Sequence, residues 1–532
     1  LLAQDITVSG KVTDKNTGET LPGVNILVKG TTTGQTSDID GNYSIRLSQP
    51  STLVFSYVGY ATEEVLVDKS QTLDVQMNLM VSTLDEVIVI GYGTQKKADK
   101  TGAVAHISSE DLGQGVLTDP VQGIQGKMAG VLVTKKGGDP NSGFAIRIRG
   151  AAGFSSDTQP LYVIDGVPNA DPTAIAPEDI ESYSVLKDAA SAAIYGSQGS
   201  NGVILITTKK GSSGKGVLQF NVKISADRVA KKFDVLSASQ IRKYVDDYNL
   251  EFTDGGANVD WQDEVFRTGV TQNYNLSYSG GTEKSNYFGS VTHSDWQGVM
   301  RGTEKKRTIG KVNLTHKAIN DKLTLSGSIS GSFEDNDYES YDGFDKDDII
   351  YQAISHNPTD PVKDSTGGYY KTIRAFNYEN PLAVIDGIDN IRTAKSFFGS
   401  FKADFEIFKG LVATANFGYT LDDRESSYFR PKGSIYATTD NGFGKKSFDK
   451  EQQKLFELTG TYIKSIGLNN INLMVGYSWQ ETNYNGFYAQ AENPQSDFLK
   501  YNSLGSFIDI TSTSIGSWAG ESRLIGFFGR MQ

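Results

Sequence analysis

Leu323-Thr-Leu-Ser-Gly-Ser-Ile-Ser-Gly-Ser-Phe333 decides how the second half of this chain is read. Every second residue is Thr or Ser, and the positions between them are Leu, Gly, Ile or Phe. A strand points successive side chains to opposite faces, so this run has one polar and one apolar face. Asn273-Tyr-Asn-Leu-Ser-Tyr-Ser279, Leu411–Thr420 and Ile471-Asn-Leu-Met-Val-Gly-Tyr-Ser-Trp479 repeat the design. Alternation in one strand also suits a water-soluble sheet; the connections separate the two cases.

Short turns are expected near Gly281–Lys284, Ile319–Lys322, Ile407–Gly410 and Ile466–Asn470, and long polar loops near 334–391, 422–450 and 486–520. Short turns at one end, long loops at the other and an apolar exterior describe a transmembrane antiparallel β-barrel. A closed sheet pairs every backbone polar group, as lipid demands. From residue 216 onward about ten strands reach spanning length. Tyr, Trp and Phe near their ends fit interfacial girdles.

Composition agrees. A chain of 532 residues is too long for one ordinary domain. It has no Cys, which removes disulfides, Cys-ligated zinc and thiol nucleophiles. A net charge of -12 argues against nucleic acid as a partner. No apolar run reaches the roughly 18 residues of a membrane-spanning helix. At one end, Leu1-Leu-Ala-Gln4 resembles the tail of a signal peptide cleaved after Ala3, so residues 1–4 read as its remnant. At the other, Leu524–Gln532 stops inside an apolar run, and the chain reads as an N-terminal fragment with a truncated barrel over 216–532.

Residues 5–80 read as an all-β domain. Alternating runs at Ile6–Thr13, Val24–Val28, Tyr43–Leu47, Leu53–Tyr57, Glu64–Val67 and Leu73–Met77 are separated by turn signals, the pattern of a small sandwich. Asp38-Ile-Asp-Gly41 has the opening of a calcium loop but not its further oxygen ligands or final Glu, and Asp-Gly makes a turn by itself. Residues 81–106 form a linker carrying Leu84-Asp-Glu-Val-Ile-Val-Ile-Gly-Tyr-Gly93. Val87, Ile88, Val89 and Ile90 are all β-branched and favour extended backbone. An exposed strand of this kind can add to a partner's sheet.

Residues 107–215 mix α and β. Asp119–Lys127 is helix-like, with Asp119 as N-cap and Pro120 first inside it. Strands are expected at Val131–Thr134, Ala145–Arg149, Leu161–Asp165, Tyr183–Lys187 and Val203–Thr208, with an Ala-rich helix at Asp188–Ile194. Gly196, Gly199 and Gly202 suggest a phosphate loop, but the helix precedes them, the wrong order for a nucleotide site; tight turns account for them better. Four widely spaced His and the lack of H-E-x-x-H or G-x-S-x-G leave no catalytic or metal constellation, so no enzyme activity, metal or cofactor is expected.

These segments together resemble a known family. The first, with G-K-V-T-D, T-G-E-T-L-P-G-V and D-I-D-G-N-Y-S, resembles the carboxypeptidase-regulatory-like domain. The order of sandwich, exposed strand, mixed domain and partial barrel resembles the SusC/RagA branch of TonB-dependent outer-membrane transporters. Leu84–Gly93 is similar to a TonB box, which implies Asp85, Glu86, Val87, Ile88, Val89 and Ile90 as partner-binding residues. Ile124–Val131, Ile146–Gly150, Pro160–Pro168 and Tyr183–Gly211 are similar to the family's plug. These motifs carry Arg147, Arg149, Gly150, Asp165, Gly166, Lys187, Tyr195, Gly196 and Gly202. The family's barrel has roughly 22 strands, and this chain supplies fewer than half.

The resemblance implies active import of a large nutrient, an oligosaccharide or a peptide, across the outer membrane of a Gram-negative bacterium. The plug would gate the barrel, and a SusD-like lipoprotein would act as a lid. Energy would come from TonB with ExbB/ExbD, the sandwich and TonB box facing the periplasm and the barrel facing outer-membrane lipid. The rival is a passive glycan-binding scaffold or adhesin. Arg147 and Arg149 read either as a contact to plug or wall carboxylates that breaks on transport, or as a static ion pair in a wet lumen. Asp165-Gly166 reads as a turn. Tyr338, Tyr341, Tyr369 and Tyr370 either stack on sugars or pack their loop against itself.

Overall fold

The computed structural model describes residues 6–531 except 16, 32, 58–59, 61, 79–86, 90–93, 97–102, 113–114, 118, 136, 151–158, 189–191, 340–347, 372–377, 433–441, 467–468 and 512–513. The chain divides into two compact units, one comprising 1–87 with 96–99 and the other 88–95 with 100–532.

In the first unit, two four-stranded sheets face each other. One pairs Ile6–Asp14 with Asn42–Leu47, Gln71–Thr72 and Val75–Met77; the other joins Gly34–Thr36, Asn25–Val28, Ser51–Ser56 and Glu63–Val67. Asn42–Leu47 buries every second residue, and Val8, Val12, Ile26, Leu53 and Phe55 are wholly inaccessible in the shared core. Tyr43 meets Phe55 edge to face, ring centroids 5.3 Å apart. Asp38 does make a turn: its Oδ1 accepts from the N–H groups of Asp40 and Asn42 at 3.0 and 2.8 Å.

The second unit contains the plug and the long strands. The plug sheet runs in the order Val104–Ser108, Ile180–Leu186, Val203–Thr208, Leu161–Ile164, Val167–Pro168. Its first strand begins before residue 107, since Val104–Ser108 pairs in full with Ser182–Leu186. A separate hairpin joins Val131–Lys135 to Phe144–Ile148. Asp119 caps as expected, accepting from Val121 N–H at 2.9 Å. The helix it opens is only a 3-10 stretch over Pro120–Ile124, because Gly123 and Gly126 weaken continuation and Gly126 turns left-handed at φ 70°. Of the second expected helix, Ala192 is α-helical and leads into a 3-10 run over Ala193–Gly199 that breaks at Gly196, while 189–191 lie outside the described residues.

The wall consists of ten long antiparallel strands: β1 Gly214–Asp227, β2 Gly269–Gly281, β3 Ser285–Gln297, β4 Glu304–Ala318, β5 Leu323–Asp337, β6 Asp389–Phe408, β7 Leu411–Arg430, β8 Phe443–Ile466, β9 Asn469–Pro494 and β10 Ile515–Met531. Each pairs with the next, and a short strand at Phe507–Asp509 adds to the end of β9. At one end β2–β3, β4–β5 and β6–β7 are joined by tight turns at the expected places, and at the fourth β8 and β9 stay paired as far as Ile466↔Asn469. At the other end the connections carry helices, Ala238–Tyr248 and Trp261–Val265 between β1 and β2, Ile349–Ser355 and Pro381–Gly387 between β5 and β6. Trp261, Val265, Ile349, Ala353 and Leu382 bury one another there, so the connection expected as a polar loop near 334–391 contributes to a packed apolar layer.

The loop expected over 422–450 is a further correction. β7 and β8 stay paired from Leu411↔Tyr462 to Arg430↔Phe443. The charged run there looks loop-like in sequence, but it is laddered by cross-strand pairs, Lys446 to Glu425 at 3.4 Å and Lys450 to Asp423 at 3.8 Å. The two-faced reading of Leu323–Phe333 matches the wall: Ser328 and Ser330 are buried, whereas Ile329 between them is 55% exposed and pairs with Val312, which is also exposed.

Candidate functional site

The polar face of the wall grips the plug mainly by donating to its backbone carbonyls. Ser330 Oγ donates to Ala174 O (2.7 Å), Asn416 Nδ2 to Gly166 O (3.2 Å), Gln453 Nε2 to Pro168 O (2.6 Å) and Asn313 Nδ2 to Lys209 O (2.6 Å). A neutral hydrogen bond of this kind contributes about 1 kcal/mol net, so the seat is an addition of small terms. Two carboxylates reinforce it. Ser290 Oγ donates to Asp179 Oδ2 at 2.6 Å, and burial pushes the Asp179 carboxyl up to about 6 despite that bond. Lys311 Nζ, wholly buried on β4, lies 3.7 Å from Asp165 Oδ2.

Asp165-Gly166 is the turn expected of it, with φ of 47° and 87° linking Leu161–Ile164 to Val167–Pro168. Asp165 also accepts from Thr208 N–H at 3.0 Å and Oγ1 at 2.6 Å, pinning two plug strands together. Arg147 and Arg149 behave otherwise. Arg147 is on the exposed face of its strand, Arg149 lies past the strand end at φ 56°, and no ion pair joins either to another described residue. Contacts from the plug to wall cations come instead from Asp165, from Asp171 to Arg424 (3.7 Å) and from Glu178 to Lys223 (3.5 Å). Lys187 Nζ donates to Ala129 O at 2.5 Å. Gly150, Gly196 and Gly202 all hold positive φ. At Gly202 the φ of 88° favours glycine, and a Cβ would also crowd the Leu186 carbonyl at 3.2 Å. Burial pushes the Tyr195 phenol up.

Val87–Val89 forms a short strand paired with Thr94–Lys96 in a two-stranded sheet. Asp85, Glu86 and Ile90 lie outside the described residues, as does Tyr341. Tyr369 packs against the loop core and donates to Asp386, and Tyr370 donates its N–H to Val362 O at 3.1 Å. Tyr338 sits beneath the Arg392 guanidinium, 4.9 Å from its ring.

Cavities flank the plug–wall contact. At the long-loop end a cavity of about 180 Å³ lies between plug and wall, lined by Asp119, Asn141, Asp171, Lys305, Glu334 and Arg392 among others. Glu334 is shared there by Lys305 at 3.0 Å and by Arg307 and Arg392 at 3.8 Å each. A neighbouring cavity of about 470 Å³ continues past Arg424 to Lys450, Tyr484 and Trp518. Toward the tight-turn end a cavity of about 450 Å³ is bordered by Asp165, Tyr195, Asn313, Ser328 and Asn416. The charged cluster on β4, β5 and β6 was not singled out from sequence. Its one signal is Glu334 ending a stripe of Thr and Ser on β5.

Comparisons with known proteins follow this architecture. Residues 8–89 match the model of the CarboxypepD_reg-like domain, and residues 96–203 that of the TonB-dependent receptor plug domain. A TonB-dependent receptor of Formosa agariphila is 34% identical over 536 residues, 99% of this chain and 53% of that protein. TonB-dependent receptor SusC of Bacteroides thetaiotaomicron is 34% identical over 529 residues, 91% of this chain and 51% of that protein. The chain thus spans about half the length of these curated relatives. Among solved structures, the RagAB peptide importer in its open-open state superposes with a TM-score of 0.72 at 22% identity, over 84% of this chain and 54% of that one. FpvA of P. aeruginosa bound to a heterologous pyoverdine gives 0.51 at 12% identity, over 94% and 58%. These likenesses show a shared fold of plug and strand wall.

Proposed function

From a chain homologous over nearly its whole length to SusC-type TonB-dependent receptors, we propose that this protein imports a large nutrient, an oligosaccharide or a peptide, across the outer membrane. The observation that carries the reading is the plug seated by many small polar contacts on the inner face of a wall whose other face is apolar. A passive anchor or adhesin needs no such removable stopper. The exposed apolar residues of alternate wall positions face lipid, and the long-loop end faces the exterior.

The outer membrane holds no nucleotide energy source, so work arrives from the inner membrane through TonB with ExbB/ExbD. Val87–Val89 and its neighbours Asp85, Glu86 and Ile90 offer TonB a strand to pair with. Hydrogen bonds across a ladder run from strand to strand, perpendicular in an antiparallel pair and slanted in a parallel one, which suits a junction pulled along its length. A SusD-like lipoprotein closes the long-loop end, and the protein itself carries out no bond chemistry.

Replacing Val87 and Val89 with Pro removes two ladder donors and disfavours the strand. Cells carrying this variant are expected to lose uptake of labelled oligosaccharides and peptides while retaining surface binding of the same probes. Uptake that persists at the original rate would leave the passive scaffold as the better reading.

A further inference from the structure

The cavities above and below the plug–wall contact are separated by a single thin layer. On β5 the polar stripe runs unbroken from Thr324 to Glu334; Ser328 borders the lower cavity, Ser332 the upper one, and Ser330 lies between. These positions are four residues apart, about 13 Å along a strand. On β6, Ser400 borders the lower cavity and Ser396 the upper, with Phe398 between them and buried in the plug's core. The plug segment Pro172–Ala174 fills the gap. It is held by Ser330 Oγ to Ala174 O at 2.7 Å and Arg307 Nη1 to Thr173 O at 3.3 Å.

We propose that cargo passes along this seam between the plug and strands β5 and β6, and that Pro172–Ala174 together with Phe398 forms the gate. This rests on the import function proposed above. Small hydroxyls suit such a path, because each can donate or accept and so exchange partners without stranding a polar group. Asn313 Oδ1 and Asn416 Oδ1, both buried and bordering the lower cavity, carry no hydrogen bond from another described residue. Buried acceptors of this kind are matched by donors from water or from a hydroxyl- or amide-rich cargo. Beside the seam, on β3 and β4, the plug is held by the Asp179–Ser290 and Asp165–Lys311 contacts. Those contacts end on plug carboxylates, so separating them strands buried charge on the plug side, whereas both contacts at the seam, from Ser330 and Arg307, end on neutral plug carbonyls. The seam is therefore the place where the boundary opens first.

The chain has no Cys, so thiols can be placed on a clean background. In the full-length protein in living cells, Thr324→Cys in the lower cavity reports passage of a thiol-reactive polyethylene glycol too large for general porins. One pair, Ala174→Cys with Ser330→Cys, locks the gate when oxidised; another, Asp179→Cys with Ser290→Cys, locks the plug to β3. Labelling is expected in energised cells, lost on oxidising the gate pair, restored on reduction and unchanged by the β3 pair. Labelling that survives the gate disulfide, that is lost equally with the β3 disulfide, or that never occurs overturns the seam. Phe398→Ala, which needs no cross-link, is expected to raise labelling several-fold in cells lacking TonB; no rise overturns its place in the gate. Labelling of the Thr324→Cys protein that ignores TonB altogether would sink energy-coupled import while leaving the seam standing.

Discussion

Asp165 holds a tight turn, a neighbouring plug strand and a wall lysine at once. Asp165→Ala removes both Thr208 bonds and leaves the buried Lys311 ammonium short of a carboxylate. The expected cost is about 3 kcal/mol, most of it from the stranded charge. Asp165→Asn, which keeps an acceptor for Thr208, should cost less; hydrogen exchange across Leu161–Thr208 would separate the two. Asp179 responds to pH in the opposite sense from a salt-bridged carboxylate. Its folded value is raised to about 6 from 3.8, so the folded state binds the extra proton between those values. Stability contributed by the protonated form is complete below about pH 4 and declines as pH rises through about 6. Asp179→Asn should flatten that slope, and denaturant midpoints measured across this window in wild type and variant would show it. The Asp-Gly turn at 165–166 was legible in sequence because turn chemistry is local. Its partner Lys311 was not, since 146 positions of chain separate them and only the folded wall brings them together.

Among the elements, β5 shows how far alternation can be trusted. The Thr/Ser stripe and the Leu, Ile and Phe positions fall on opposite faces as the period of two requires. Ile329→Lys puts a charge on the lipid side, with an expected penalty of roughly 2–4 kcal/mol near mid-bilayer, falling toward the interfaces. Thr324→Lys, on the polar face of the same strand, bordering the lower cavity and opposite Asp404, should leave insertion intact. Urea titrations of the two variants in lipid vesicles would compare them directly. The outer parts of β7 and β8 mark the limit of the same reasoning. Glu425, Lys446, Asp423 and Lys450 look like loop residues one at a time, yet they cross-pair on adjacent strands. The shortened plug helix after Asp119 is a similar case: its capping signal is real, but the glycines that follow stop it within five residues.

For the whole molecule, the division into two compact units has an experimental consequence. Residues 6–78 carry their own core, from Val8 to Met77, and their own paired sheets. Expressed alone, this segment is expected to fold as a soluble domain with a cooperative thermal transition; a molten, ANS-binding product would contradict its independence. Local physical chemistry, readable residue by residue, already specified a sandwich, a mixed α/β segment and a two-faced wall from β-branched and alternating runs and from Asp-Gly and Gly-rich turns, while the resemblance of longer motifs marked the mixed segment as a plug. The tertiary structure alone decided which polar groups meet. The grip of Asp165, Asp171 and Glu178 on wall cations, the sharing of Glu334 and the thin layer between two cavities join residues far apart in the chain. Periodicity determines the face on which a side chain lies, while the register and packing of the complete sheet determine what stands opposite it.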